Sequence, residues 1–242
     1  MVHEHDIALV PLAGDLSVRT APSLKRTLDN LIQNGACRIV LNMADVPYVD
    51  SSGMGVILAT VRRMRRAGGL LSLVNVSPEV LRSLRIARLV DVMPVSAAGE
   101  RREVPELDPS VFPLWRTTLP VRADDMQATR VRVEELAQTM PLSCDEVFDL
   151  TLAVGEALGN AVDHTCGTGI LATMTAYPDR LIVEVADCGQ GFSPCAATKE
   201  PCGAFDERGR GLRLMQLLVD AVSISPKTSG TGTVVRLVKL CG

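Results

Sequence analysis

The chain has 242 residues and a mass of 25.9 kDa, more than the ~150 residues usual for one domain, so one large or two small domains fit. Hydrophobic residues at 47% and charged residues at 22% exclude wholesale disorder. Aromatics at 3% exclude a base-stacking platform as the main business of the protein, and a net charge of −3 argues against an obligatory nucleic-acid or membrane partner.

Apolar runs such as Met54–Val61 stop well short of the ~18 residues a membrane span needs. Residues 1–6 have neither the basic nor the apolar region of a secretory signal. The cysteines, Cys37, Cys144, Cys166, Cys188, Cys195, Cys202 and Cys241, are odd in number and form no Cys-x-x-Cys pair. They read as reduced thiols of a cytoplasmic protein, with Cys195 and Cys202 in one short loop.

The first half alternates strand and helix. Ile7–Leu12 reads as a strand ending at Gly14, and Ala21–Ile32 as a helix with Leu24, Leu28, Leu31 and Ile32 at helical spacing. Cys37–Met43 is a buried strand, Ser51–Arg66 a helix closed by Gly68-Gly69, and Leu70–Val76 a third strand. Ser77-Pro78-Glu79 starts another helix, with Ser77 at the N-cap. The pattern predicts an α/β layer with helices on a mixed sheet. A polar, proline-containing seam lies near residues 96–113. It divides the chain into a domain over 1–97, a linker over 98–112 and a domain over 113–242. Residues 1–100 carry 11 basic and 9 acidic side chains, against 14 and 19 in residues 101–242.

The second half opens with a strand over Phe112–Val121, then helices over Ala123–Met140 and Ser143–His164. Ser143-Cys144-Asp145-Glu146 gives the latter a capping box. Strands Ile170–Tyr177 and Arg180–Asp187 flank the turn Pro178-Asp179. A helix near Gly211–Val219 and strands over Ala221–Ser225 and Thr233–Leu240 complete an α+β sandwich.

Two places carry chemistry. Val49-Asp50-Ser51-Ser52-Gly53 sits where a loop becomes a helix. Ser51 reads most simply as the N-cap; the sharper reading is a phosphorylation site, which helix amides would welcome and Asp50 would repel. In the second half, Glu156 and Asn160 lie four apart on one helix face, with Asp163 and His164 beside them. An amide oxygen can ligate Mg²⁺ beside phosphates, and a carboxylate one turn earlier can deprotonate a hydroxyl. Such a pair is by itself common on solvated helices. Asp187-Cys188-Gly189-Gln190-Gly191 follows a strand, where a buried Asp can accept from an adenine amino group, or simply form a turn. Gly209-Arg210-Gly211 opens a helix whose amides could meet phosphates, and Gly230-Thr231-Gly232-Thr233 begins the last strand.

Gly14-Asp15-Leu16, Ile39–Asn42 and Asp50–Val56 resemble the STAS domain of bacterial anti-sigma factor antagonists over residues 5–97. That resemblance implies that Ser51 is the phospho-acceptor and Ser52 structural; Ser17 departs from it, where the family often has an acidic residue. The second-half motifs, in order, resemble the N box, two glycine boxes and terminal Gly-Thr of the GHKL ATPase superfamily, closest to its anti-sigma factor serine-kinase branch. By this resemblance Glu156 is the general base, Asn160 the Mg²⁺ ligand and Asp187 the adenine reader. Gly189, Gly191, Gly209 and Gly211 frame the ATP, Thr233 supports the base, and residues 193–208 form a lid. Thr165-Cys166 depart from that family's usual glycine and aromatic. No Walker A loop, His-Arg-Asp or Asp-Phe-Gly motif occurs, and no helix with a phospho-acceptor histidine precedes the ATP half.

Together the resemblances imply a fused, cytoplasmic partner-switching regulator. Its ATP- and Mg-dependent serine-kinase domain would phosphorylate Ser51 in cis or trans, or a separate STAS antagonist, and so control sequestration of a sigma factor. A second copy of the chain, in a homodimer, and a serine phosphatase fit the same scheme; direct DNA binding and membrane attachment do not. The alternative is a non-catalytic STAS and ATP-binding adaptor that switches partners without phosphoryl transfer.

Overall fold

A computed structural model describes residues 7–99, 102–165, 169–189, 207–228 and 231–242. The chain divides into two compact units, Met1–Arg101 and Arg102–Gly242.

The first unit runs β1 (Ile7–Ala13), α1 (Ala21–Gln33), β2 (Arg38–Asp45), α2 (Ser51–Arg66), β3 (Leu70–Val76), α3 (Pro78–Ile86) and β4 (Val95–Ala97). The strands lie in the order β1-β2-β3-β4, and every pairing is parallel, with Leu9 opposite Val40 and Leu41 opposite Leu73. Among the described residues the sheet is therefore parallel where the sequence suggested a mixed one. A helix between successive strands returns the chain to the same end of the sheet, which forces parallel pairing. The short β4 closes the first domain where the seam begins; with Val95 its only large apolar residue, it carries no period to read.

One face of this sheet packs Ile39, Leu41, Leu71 and Leu73 against Leu24 and Leu28 of α1, Ile57, Val61 and Met64 of α2, and Val80 and Leu84 of α3. These helical positions are the three-four spacing that the sequence displays. Ser77 caps α3, its hydroxyl accepting from Val80 N at 3.3 Å, and Pro78 occupies the first turn.

The second unit runs β5 (Trp115–Val121), α4 (Met126–Ala137), α5 (Cys144–Thr165), β6 (Ile170–Ala176), β7 (Arg180–Ala186), α6 (Glu207–Leu218), β8 (Ala221–Pro226) and β9 (Thr233–Leu240). The sheet order is β5-β6-β7-β9-β8, antiparallel throughout. β6 and β7 join through a two-residue hairpin turn in which Tyr177 N donates to Arg180 O at 2.8 Å. Buried Leu181, Val183 and Val185 alternate along β7, and the helices supply Val133, Leu150, Ala153, Val154, Leu158, Leu214 and Leu218 to the same core.

The boundaries differ from expectation in three places. β5 starts at Trp115, because Pro113 cannot donate to a ladder. The helix read over 123–140 is a 3₁₀ turn, Ala123–Asp125, followed by a shorter α4. α6 begins at Glu207, ahead of the glycines that were to open it. The capping box of α5 is present in full. Glu146 Oε2 accepts from Ser143 N at 2.8 Å, and Ser143 Oγ accepts from Glu146 N at 3.3 Å.

Candidate functional site

In the first unit the candidate element is the start of α2. Asp50, not Ser51, is the N-cap: its backbone is extended, and its Oδ1 accepts from Ser52 N at 2.7 Å and Gly53 N at 3.0 Å. This corrects the simpler reading of Ser51. A carboxylate reaches two amides at once and suits the positive end of the helix dipole, so it takes the cap from the hydroxyl beside it. Asp50 Oδ2 also accepts from Val18 N at 2.9 Å, and Asp50 N donates to Leu16 O at 2.9 Å, so the loop after β1 is tied to the helix start. The three amides hold the Asp50 carboxyl below its usual pKa of 3.8, Gly53 most strongly, against the opposing cost of desolvation. Gly53 has no room for a side chain: a Cβ would lie 2.7 Å from Leu16 Cγ and Leu16 O. Ser51 is thus the first helical residue, exposed, released from capping and held on a fixed backbone.

In the second unit α5, α6 and the ends of β7 and β9 converge. Glu156 and Asn160 are half-buried on α5, one turn apart. Gly211 of α6 sits directly on them: a Cβ there would overlap Glu156 Oε1 and come within 3.2 Å of Asn160 Nδ2. The second glycine box therefore serves as a close-packing surface inside α6, since its absent side chain lets the helix backbone reach the carboxylate and the amide. On the other side of α5, Arg130 of α4 lies across buried Gly155, where a Cβ would be 3.1 Å from Arg130 Nε.

Asp187 follows β7 and is only 7% exposed. Its Oδ1 accepts from Gly189 N at 2.8 Å and from Thr233 N at 3.2 Å, while Asp187 N donates to Thr233 O at 2.9 Å. Asp187 Oδ2 has no hydrogen-bond partner among the described residues. That leaves one carboxylate oxygen of this residue able to accept from a donor outside the described residues. Two more glycines let neighbouring backbone pack closely around Asp187. A Cβ on Gly189 would be 2.8 Å from His164 O, and one on Gly232, at φ +130°, would overlap Asp187 O.

The structure thus brings together Glu156, Asn160 and Gly211, and separately Asp187, Gly189 and Thr233. Gly209 lies in the first turn of α6. Gly191, Cys166, Cys195, Cys202 and residues 193–206 of the expected lid lie outside the described residues. Sequence reading missed Asp50 as the cap, Arg130 beside Gly155, and Gly232 as a contact of Asp187. Asp50 and Gly232 had signals, a capping residue at the helix start and the glycine of the Gly-Thr pair; Arg130 had none.

The donors present fit Mg·ATP. Asn160 and Glu156 offer hard oxygens, and Gly211 lets the α6 backbone approach them closely. No group of three or more His, Cys, Asp or Glu poised to hold a metal occurs among the described residues, so Mg²⁺ would rest on Asn160 together with phosphate oxygens. No described helix is long and apolar enough to cross a membrane.

Residues 119–239 match the histidine kinase-like ATPase domain, and residues 1–100 match the STAS domain. The chain is 39% identical over 99 residues to the anti-sigma-B factor antagonist of Bacillus subtilis, an alignment covering 40% of this chain and 88% of that one. It is 33% identical over 96 residues to the anti-sigma F factor antagonist of Paenibacillus polymyxa, covering 39% and 82% respectively. The crystal structure of an anti-sigma factor antagonist from Mycobacterium paratuberculosis matches with 20% identity and a TM-score of 0.35, over 40% of this chain and 80% of that one. The chain belongs to two families at once, joining a STAS domain of the anti-sigma factor antagonist family to a histidine kinase-like ATPase domain.

Proposed function

We propose that this protein is a partner-switching regulator whose ATPase domain is a serine kinase and whose own STAS domain presents the acceptor, Ser51. The observation that carries the reading is the seating of Gly211 on Glu156 and Asn160. It gathers a base, an amide ligand and a helix backbone at one point, as phosphoryl transfer to a hydroxyl requires. Asp187, braced by Gly189 and Thr233, would hold the adenine, and Asn160 would hold Mg²⁺, which would offset the charge of the transferring group. Glu156 takes the proton of the attacking serine hydroxyl. On the acceptor side Asp50 satisfies the cap, so the Ser51 hydroxyl is exposed and uncommitted.

Phosphorylation would add up to about two negative charges beside Asp50, on the surface expected to dock partners. The relatives named as anti-sigma factor antagonists make an anti-sigma factor and its sigma factor the expected partners. Tethering raises the effective concentration of the STAS domain toward the millimolar range wherever the linker permits contact. Unmodified STAS would then occupy the kinase domain, and phosphorylation would free it. Incubation with Mg·ATP followed by intact-mass measurement tests the catalytic part. Wild type gains phosphate, whereas Glu156→Ala binds ATP but gains none. Binding without any phosphate on wild type would leave a nucleotide-responsive adaptor.

A further inference from the structure

The sheet of the second unit has two faces. Leu181, Val183 and Val185 of β7 point to the helices, so Arg180, Ile182 and Glu184, which alternate with them, point the other way. On that outer face Ile182 is only 4% exposed, and its cross-strand neighbours Thr175 of β6 and Val238 of β9 are buried as well. Arg180 is also 4% exposed. Its Nε and Nη2 donate to Asp179 Oδ2 at 3.0 and 2.7 Å, and its Nη1 donates to Pro105 O at 2.7 Å. A charge buried this far is stable only with its donors matched.

Pro105 belongs to the run between β4 and β5. In residues 102–114 Val104 and Leu107, on either side of that carbonyl, are half-buried, and the others are exposed. At one end Arg102 lies against Gly242, where a Cβ would be 2.5 Å from Arg102 Nη2. At the other, Asp108 Oδ1 accepts from Ser110 N and Ser110 Oγ, both at 2.8 Å, and turns the chain toward Leu114, whose N–H donates to Ala176 O at 2.8 Å. The second unit accordingly begins at Arg102.

We infer that residues 102–112 are a strap of the ATPase domain. Val104 and Leu107 cover Ile182 and Val238, Arg180 latches the strap through Pro105 O, and the latch sets the length of tether left to the STAS domain. On the STAS side β4 ends at Ala97, and Ala98 N donates to Val76 O at 2.9 Å. With the strap seated, the chain from Ala98 to Arg102 spans at most about 14 Å; with it released, the chain from Ala98 to Leu114 spans up to about 55 Å. Arg180 opens β7 and Asp187 follows its end, about 23 Å along the strand. The seated strap therefore anchors the tether at the end of the sheet away from the proposed nucleotide site, with less reach than that distance. Its release raises the effective concentration of a chain's own Ser51 at its own site. That last step rests on the kinase reading; the strap does not.

The test uses the full-length protein, limited digestion by a glutamate-specific protease, and peptide mass mapping. Glu103 and Glu106 are exposed, so an unanchored linker would be cut there at once. In wild type both should be cut slowly. Arg180→Met keeps the side-chain stem and loses the donor, and should be cut there at least about tenfold faster while Glu184 within β7 stays uncut. Leu107→Ser leaves the sheet intact and should accelerate the same two sites, which decides the strap even where Arg180→Met fails to fold. Immediate cutting of wild type, or unchanged rates in Leu107→Ser, would overturn the strap. Ser51 phosphorylation, followed against protein concentration, reads the tether. The part of the rate that does not depend on concentration should rise at least about tenfold in Leu107→Ser. Faster cutting with an unchanged phosphorylation rate would overturn the tether alone. No phosphate on wild type would overturn the kinase reading, and the tether's effect with it, while the digestion still decides the strap.

Discussion

The proposed acceptor turn and the proposed nucleotide site solve the same problem, presenting polar groups at a helix, by different means. Around Ser51 one carboxylate, Asp50, does most of the work: it gathers amides from Ser52 and Gly53 beside it and from Val18, 32 residues earlier. Around Glu156 and Asp187 the work is spread over distant elements. Gly211 meets Glu156 across 55 residues, and Thr233 braces Asp187 across 46. The proposed acceptor turn therefore depends on the loop after β1, and the proposed nucleotide site on the placement of α6 and of the strand start at Thr233.

The sharpest way to break this contrast is Gly211→Ala. Its methyl group would displace the Glu156 carboxylate, and phosphate incorporation should fall about 100-fold or more, as when reacting groups are misplaced by an ångström. The STAS unfolding transition should not move. Gly232→Ala adds a methyl group against Asp187 O at a backbone angle that L-residues rarely adopt. It should cost the ATPase domain about 2–3 kcal/mol, read as a lower denaturant midpoint for that domain alone. Asp187→Asn keeps an oxygen for Gly189 and Thr233 but replaces the open acceptor with a donor. ATP affinity should fall about 10- to 100-fold, with the fold retained, in isothermal titration.

The smallest effect is expected at Asp50 and depends on pH. Its pKa is depressed in the folded state, so its contribution is fully present above the unfolded value of about 3.9 and fades as pH falls through the lower folded value. Denaturation of the STAS domain should become easier from about pH 4 downward, and Asp50→Asn should flatten that dependence. In the ATPase domain the Asp179 carboxyl is depressed by its hydrogen bonds from Arg180, so its acid sensitivity should survive the Asp50 change.

The same contrast explains what the sequence made legible. Helices α1, α2 and α3, the capping box of α5 and the strands β6, β7 and β9 follow from short-range periodicity and turn chemistry, and they stand close to where they were expected. At α2 the pattern located the helix start and missed which residue caps it, because Asp and Ser are both strong caps and the Val18 contact that adds to the advantage of Asp50 spans 32 residues. The nucleotide residues were named by motif order, but no local signal said that Gly211 lies inside a helix, or that its role is close approach to Glu156. Arg180 and Pro105, 75 residues apart, meet in a segment that the sequence shows only as a linker.

The most direct measurement is site-localised phosphopeptide mapping of the full chain, stripped with phosphatase and then given Mg·ATP. Wild type and Ser51→Ala would be mixed in turn with Glu156→Ala. The account predicts phosphate on Ser51 of wild type, none on Ser51→Ala alone, and transfer onto the Glu156→Ala copy only if exchange between chains occurs. Phosphate placed on Ser52 or elsewhere, with Ser51 bare, would contradict it.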